Sequence, residues 1–338
     1  MNRLLITFFI ITASINLTSA QTEKVDSLKG LALKLTTGLI SDRQKVDAIF
    51  YWVTDNIEYD YEALNNSKPY PEFDIKPTFD TVEYHRLYNE SVANIVLQRK
   101  KGICDGYSRL FKSLCNHAGI QCEVVNGKTK DPLNNDLMGH AWNAVKIENK
   151  WHLVDPTWAS GHGIDTFNKE RDLFYYLTPP EILFLNHYPN DQRWTLMDKS
   201  YNLEKFRQSP IEDIRVIKNG LKDFYPKSKT ITIQKGQLIT VWLEFDKSAN
   251  SFPINVTEYG QESKASKLDI RYTDNTYDSL LKIDPDFFST IKKIEVTRKL
   301  ISQNKIEFII KPLTDIKGFS IHVDGGFPAL DYNIIYKK

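Results

Sequence analysis

Cysteine is scarce in this sequence, with only Cys104, Cys115 and Cys122 among 338 residues. That excludes a small disulfide-stapled scaffold, and the length supports a sizeable core in two ordinary domains without covalent help. An excess of charge of either sign is missing too, with 44 Lys plus Arg against 43 acidic residues. A balanced chain has no field to gather nucleic acid or an anionic membrane, so neither is expected as a partner. Beyond residue 20 no stretch is apolar enough to cross a bilayer. There is no internal repeat, no low-complexity tract and no Asp-rich loop of the calcium-binding kind. What is there, at 41% hydrophobic and 26% charged residues, is the composition of a folded globular protein.

The first twenty residues differ from the rest. Arg3 is their only charge, residues 4–11 are apolar, and Thr18-Ser19-Ala20 is a run of small residues. This pattern predicts a signal peptide over residues 1–20, cleaved near Ala20 and Gln21, and a secreted or periplasmic mature protein. Ser14 and Asn16 interrupt the apolar run and leave it short for a membrane anchor. In an exported protein an odd cysteine count suggests one thiol kept free. Cys104 and Cys115 lie on one expected helix, separated by about 16 Å of rise, too far to bond. Cys115 and Cys122 flank a turn, and either pair with each other or sit as small buried core residues. In both cases Cys104 is left over.

Texture divides the chain. Ser41 and Gln44 form a capping-box pattern ahead of Val46, Ile49, Phe50, Val53 and Ile57, which recur at helical spacing. A loop rich in proline is expected over 65–81, a second helix over 92–100, and a third from Cys104 to a stop at Gly119. Short strands follow at 121–126, 140–148 and 151–155, and then an aromatic-rich stretch in which Pro179 and Pro180 start a helix. From about residue 229 the pattern turns to period two, at 239–245, 267–272, 293–297, 305–310, 319–323 and 332–336. Such runs without helices predict a β-sandwich. The expected organisation is α+β: a core over 21–225 with helices packed on an antiparallel sheet, then an all-β domain over 226–338. That second region holds one histidine, His322, and reads as a structural or ligand-binding module. Asn65, Asn89 and Asn255 each head an N-x-S/T triplet, which matters only in a glycosylating cell.

The chemistry concentrates in two blocks. In Lys101-Gly102-Ile103-Cys104-Asp105-Gly106-Tyr107, Cys104 stands at the first turn of a helix, where unpaired N–H groups and the macrodipole favour a thiolate. Its own amide could donate to an oxyanion, whereas Asp105 places a negative charge near the sulfur. Downstream, His140-Ala141-Trp142 and Trp151-His152-Leu153-Val154-Asp155 read as two strands of a hairpin. Side chains alternate faces, so a two-residue turn places Asp155 diagonally from His140, and a four-residue turn places it directly opposite. A three-residue turn would send Asp155 to the wrong face. In either good register the carboxylate can hold one imidazole nitrogen while the other meets Cys104, an arrangement of nucleophile, base and orienter. A metal held by His140, His152 and His162 is not expected, because no zinc-like spacing supports it and the first two face opposite ways. No cofactor is implied. Trp142, Trp151 and Trp158 line a cleft or fill the core, the latter being the better reading for two of them.

These residues carry a resemblance. KGICDGYSRLF and GHAWNAVKIENKWHLVDPTW, with DAIFYWVTDNIEYDY before and DLFYYLTPPEILFLNHYP after, are similar to the transglutaminase-like superfamily of papain-related proteins. The likeness covers roughly residues 42–189 and implies Cys104 as nucleophile, His140 as general base and acid, and Asp155 as orienting carboxylate. It implies acyl transfer through a thioester on a protein or peptide substrate; water, the most available acceptor outside the cell, ranks hydrolysis ahead of protein crosslinking. It also implies an aromatic or amide group upstream of the cysteine that completes an oxyanion hole, with Tyr70 and Tyr84 as candidates. The β-rich second region resembles secreted bacterial and kyphoscoliosis-peptidase-type relatives. The rival is a non-catalytic interaction module on the same fold, whose usual mark, loss of one of the three residues, is missing here.

Overall fold

The computed structural model describes residues 27–64, 70, 80–131, 136–161, 163, 166–197, 202–249, 253–259, 294–323 and 328–337. The expected signal peptide, Asn65, His162 and the run at 267–272 lie outside them.

Helix α1 (Leu28–Thr36) precedes α2 (Asp42–Asn56), whose capping box forms as the sequence predicts. The Gln44 N–H donates to Ser41 Oγ at 3.2 Å, and the Ser41 N–H donates to Gln44 Oε1 at 3.1 Å. Val46, Ile49, Phe50 and Val53 are buried on its inner face. After α2 come β1 (Glu58–Tyr59) and the short α3 (Tyr61–Leu64). The next helix, expected from Val92, starts eleven residues earlier: α4 spans Thr81–Arg99. Asp80 caps it, accepting N–H bonds from Val82 at 2.9 Å and Glu83 at 3.3 Å. Its buried residues begin only at Asn89, so the polar first half carries no apolar period to read. Asn89 is itself buried, which removes it as a glycosylation acceptor.

Strand β2 (Lys101–Gly102) pairs in parallel with β1 and leads directly into α5 (Cys104–His117). That helix is clamped from several sides. The Tyr107 hydroxyl donates to the Ile57 carbonyl at 2.6 Å. The Ser113 hydroxyl donates to Glu90 of α4 at 2.5 Å, and Glu90 also faces His117 Nε2 at 3.0 Å. Leu110, Phe111 and Leu114 are fully buried beneath it.

The sheet against which α5 packs has the order β6-β5-β4-β3-β7 and is antiparallel throughout. Its strands are β3 (Cys122–Asp131), β4 (Asp136–Ile147), β5 (Lys150–Val154), β6 (Tyr176–Thr178) and β7 (His187–Pro189). Ile147 pairs with Lys150, which makes the β4–β5 connection the two-residue turn. Glu148 and Asn149 both take positive φ, 48° and 66°, as a tight hairpin turn matching the strand twist requires. Buried Asn143 on β4 donates to the Ser108 carbonyl at 2.9 Å and the Glu123 carbonyl at 3.1 Å, fixing α5 on the sheet.

The remaining strands are β8 (Leu221–Tyr225), β9 (Thr230–Ile233), β10 (Ile239–Phe245), β11 (Ile254–Tyr259), β12 (Ile294–Ser302), β13 (Lys305–Pro312), β14 (Gly318–Val323) and β15 (Pro328–Tyr336). They form two four-stranded sheets, β12-β13-β10-β8 and β11-β14-β15-β9, in keeping with the period-two runs. Val241, Leu243 and Phe245 point inward from β10 while alternate residues face out. Strand β8 lies just ahead of Pro226, where the change of texture falls, and pairs with β10. The β-unit thus draws its first strand from the weakly patterned segment before that position.

A buried charge cluster joins the two regions. Lys130 of β3, 3% exposed, donates to the Ser209 and Ile211 carbonyls at 2.6 and 2.5 Å. Glu212 lies 3.7 Å from Lys130 and 2.5 Å from Lys229, and its own N–H donates to Ala329 of β15. Burial pulls the Lys130 ammonium down to about 8 against the opposing pull of Glu212. Removing one partner of a buried charge set strands the others. Glu212→Ala is expected to lower unfolding free energy by about 3 kcal/mol in urea titration; a loss under about 1 kcal/mol would contradict a cementing role for the cluster.

Candidate functional site

Asp155 ends β5 and begins α6 (Pro156–Ser160). Pro156 fits the first helical position because its missing N–H would have had no partner there. Asp155 is the N-cap: its Oδ1 accepts the Thr157 N–H at 2.9 Å and the Trp158 N–H at 3.1 Å. The side chain is therefore held in one orientation by its own helix, with Oδ2 left to face the sheet.

Two imidazoles meet that oxygen. His140 Nε2 lies 2.7 Å from Asp155 Oδ2, and His187 Nε2 lies 3.2 Å from the same atom. With Nε2 committed to Asp155, the nitrogen left for the Cys104 sulfur is Nδ1, and a hydrogen bond to Cys104 is among the influences on the ring. The structure thus brings Cys104, His140 and Asp155 together in the two-residue-turn register. The side chains of Asp155 and His187 are 0% exposed, and that of His140 is 6% exposed. Cys104 is half-buried.

Burial alone would lower the His140 value. The charge of Asp155, the hydrogen bond to it and the adjacent Cys104 sulfur outweigh burial and push it up to about 10. Burial likewise works to raise Asp155, but His140 and then His187 overcome it and hold the carboxyl well below its ordinary range. The two shifts agree: the pair is an imidazolium against a carboxylate. His187 goes the other way, down to about 4, since burial dominates and the His140 charge repels a second proton.

Asp105, which sequence alone sets against a thiolate, is drawn off by Arg109, whose Nε lies 2.8 and 2.9 Å from the two carboxylate oxygens. The Arg109 guanidinium also covers the Tyr88 ring at 4.7 Å. Helix α5 starts at Ile103 with no side-chain cap among the described residues, which leaves its first N–H groups beside Cys104 uncommitted to a side chain. Of the two tyrosines considered, Tyr70 reaches this helix start. A Cβ on Gly106 would collide with its hydroxyl. Burial raises the Tyr70 phenol, and the charges of Asp105 and Cys104 add to the effect. Tyr84 instead stacks on Tyr88, with ring centroids 6.4 Å apart.

The aromatic residues separate as well. Trp142 is fully buried, 6.1 Å from the His140 ring, and Trp158 is partly buried at 5.2 Å. Trp151 packs on Trp194 away from the site. His152 pairs with Val145 on the opposite face from His140, where burial lowers it, and it takes no part here. Sequence reasoning missed His187. With His140 and Asp155 it forms a cluster whose donor atoms all lie within 4.8 Å. Ordinary hydrogen bonds of 2.7 and 3.2 Å account for that spacing. Cys115 and Cys122 are both buried and unbonded, and burial pushes the Cys115 thiol up. No helix among the described residues is long and apolar enough to cross a membrane.

This chain is similar to known proteins over part of its length. The family model described as the transglutaminase-like superfamily matches residues 29–156. The kyphoscoliosis peptidase of Mus musculus is 34% identical over 206 residues, covering 58% of this chain and 28% of that protein. The Homo sapiens kyphoscoliosis peptidase is 32% identical over 214 residues, covering 60% and 29%. The chain thus spans under a third of the length of these curated relatives. A solved structure of a TGase shares 26% identity over 49% of this chain and 38% of its own, with a TM-score of 0.29.

The proton balance has a measurable consequence. A histidine raised from 6.5 to about 10 contributes stability that is complete below pH 6.5 and lost as pH rises through 10. The melting temperature is expected to fall more steeply between pH 6.5 and 10 in wild type than in His140→Gln. Parallel curves would contradict an imidazolium at His140.

Proposed function

Residues 29–156 are a domain of the transglutaminase-like superfamily, and from that premise we propose that the chain is a thiol-dependent acyl-transfer enzyme hydrolysing peptide or amide bonds. The observation that supports this most is His140 lying between the Asp155 carboxylate and the Cys104 sulfur with its charged form favoured to about pH 10. The Cys104 thiolate attacks the carbonyl carbon, an S–C bond forms, and the π pair moves onto oxygen. The Cys104 N–H at the uncapped start of α5 and the Tyr70 hydroxyl receive that oxyanion. On collapse the C–N bond breaks, and the leaving amine takes the proton carried by His140. Water then adds to the thioester with His140 as base, releasing the acid and restoring the thiolate–imidazolium pair.

Hydrolysis is favoured over crosslinking because water is the most available acceptor and because two of the matched relatives, the kyphoscoliosis peptidases, are named as peptidases. The substrate class is a protein or peptide. Residues 1–20 are read as an export signal, so the reaction belongs outside the cytoplasm.

The reading is tested by labelling the chain lacking residues 1–20 with iodoacetamide across pH and locating the adduct by mass spectrometry. Fast labelling of Cys104 near pH 6 that slows in His140→Ala is the expected result. A rate no greater than that of an ordinary thiol, with pKa about 8.5, and unchanged in His140→Ala would sink it. Once a cleaved peptide is in hand, Tyr70→Phe is expected to lower kcat about tenfold or more while sparing KM; an unaffected kcat would remove Tyr70 from the oxyanion site.

A further inference from the structure

His187 is a fully buried titratable group at this site that the reaction scheme leaves unused. It belongs to β7, whose register with β3 places His187 beside Thr129 and Pro189 beside Gly127. Gly127 is in turn opposite His140 on β4. Thr129, Gly127, His140 and His187 therefore share one face of the sheet, and the missing side chain of Gly127 opens the space between them. A Cβ there would collide with the Trp142 ring and the Tyr188 carbonyl. The His187 ring is enclosed by Trp158 at 4.7 Å, Trp142 at 5.0 Å and His140 at 5.4 Å. The titratable groups around it are Asp155, His140 and, at 6.3 Å, Tyr175. Beyond them, Cys104 on α5 and Tyr59 on β1 act electrostatically on the same cluster.

The proton on His187 can be assigned from its neighbours. Burial, with the His140 charge adding to it, pulls the ring down to about 4 against the opposing pull of Asp155 and the Leu183 carbonyl. Nε2 faces a carboxylate oxygen, which only accepts, so the proton sits on Nε2 and is donated to Asp155. On the ring's other side Nδ1 lies 2.6 Å from Asn186 Oδ1, and the Leu183 carbonyl is a further partner of the ring. Asp155 thereby receives four hydrogen bonds, two from α6 on Oδ1 and one from each imidazole on Oδ2.

We propose that His187 is a positioning residue for the Cys104–His140–Asp155 site, a hydrogen-bond donor that pins the Asp155 oxygen to which His140 is bonded. The inference rests on the proposed acyl-transfer reading for its purpose, but not for its geometry. Asn186 and β7 fix the ring, the ring fixes the carboxylate, and the carboxylate sets the direction of the His140 ring toward Cys104. Without this donor, one lone pair of a buried carboxylate has no partner, and the carboxylate takes up a proton at higher pH.

Two variants and two readouts test this. His187→Phe keeps a ring of similar volume in the aromatic enclosure and removes the donor; His187→Gln returns an N–H near the Nε2 position. Iodoacetamide labelling of Cys104 is expected to slow about tenfold in His187→Phe, with its acid limb moved up by about one pH unit, and to recover in His187→Gln. In proton NMR, the downfield resonance of the His140 ring N–H shared with Asp155 is expected in wild type and His187→Gln, and lost to exchange in folded His187→Phe. Wild-type rate and resonance in His187→Phe would overturn the proposal. Should Cys104 be inert in wild type while the resonance still follows residue 187, the enzyme reading fails and the positioning role stands.

Discussion

A carboxylate taken fully out of water costs several kcal/mol unless charge and hydrogen bonds replace its hydration. Asp155 is such a group, and the domain around it is arranged to replace that hydration from every side. Helix α6 supplies two backbone N–H groups, and β4 and β7 each supply an imidazole. The donors come from three different elements, so the site exists only once β4, β5 and β7 have joined in one sheet. The same constraint explains the perturbed proton affinities: a stabilised anion raises the imidazole that faces it, while burial, with the His140 charge adding to it, lowers the second imidazole.

Helix α5 brings the nucleophile to this centre and is held there by polar contacts buried in an apolar core. Tyr107 reaches the end of α2, Ser113 reaches α4, and Asn143 reaches back from the sheet. Any of these would be a liability if unpaired, because a buried polar group without a partner costs more than its bond contributes. Paired, they fix the height and rotation of a helix whose first residue must meet His140. The start of α5 is the exception, left without a capping side chain among the described residues, where an incoming oxyanion would need N–H groups.

Much of this was legible beforehand, for definite reasons. Cys104 stands two residues after Gly102 and precedes a helical period, and His140 and Asp155 lie along alternating strands; of the two turn lengths that bring them to one face, the structure adopts the two-residue turn Glu148-Asn149. The β-unit was legible from alternation, as in β10. Legibility ended where partners are distant in sequence. His187 lies 32 residues beyond Asp155 on a three-residue strand, too short to show a period, and only its pairing with β3 brings it inward. The first half of α4 has no buried face, so Asp80 was its single signal. Asp105 was read as a charge beside the sulfur, although Arg109 one helical turn on was already there to neutralise it.

The central claim is that His140 is held as an imidazolium by the buried Asp155 beside Cys104. The most direct measurement is the pair of ring-nitrogen chemical shifts of His140 at pH 8, assigned with the His140→Gln spectrum. Two protonated nitrogens at pH 8, well above the ordinary value of 6.5, are the expected result. A neutral ring carrying one proton at that pH would contradict the account.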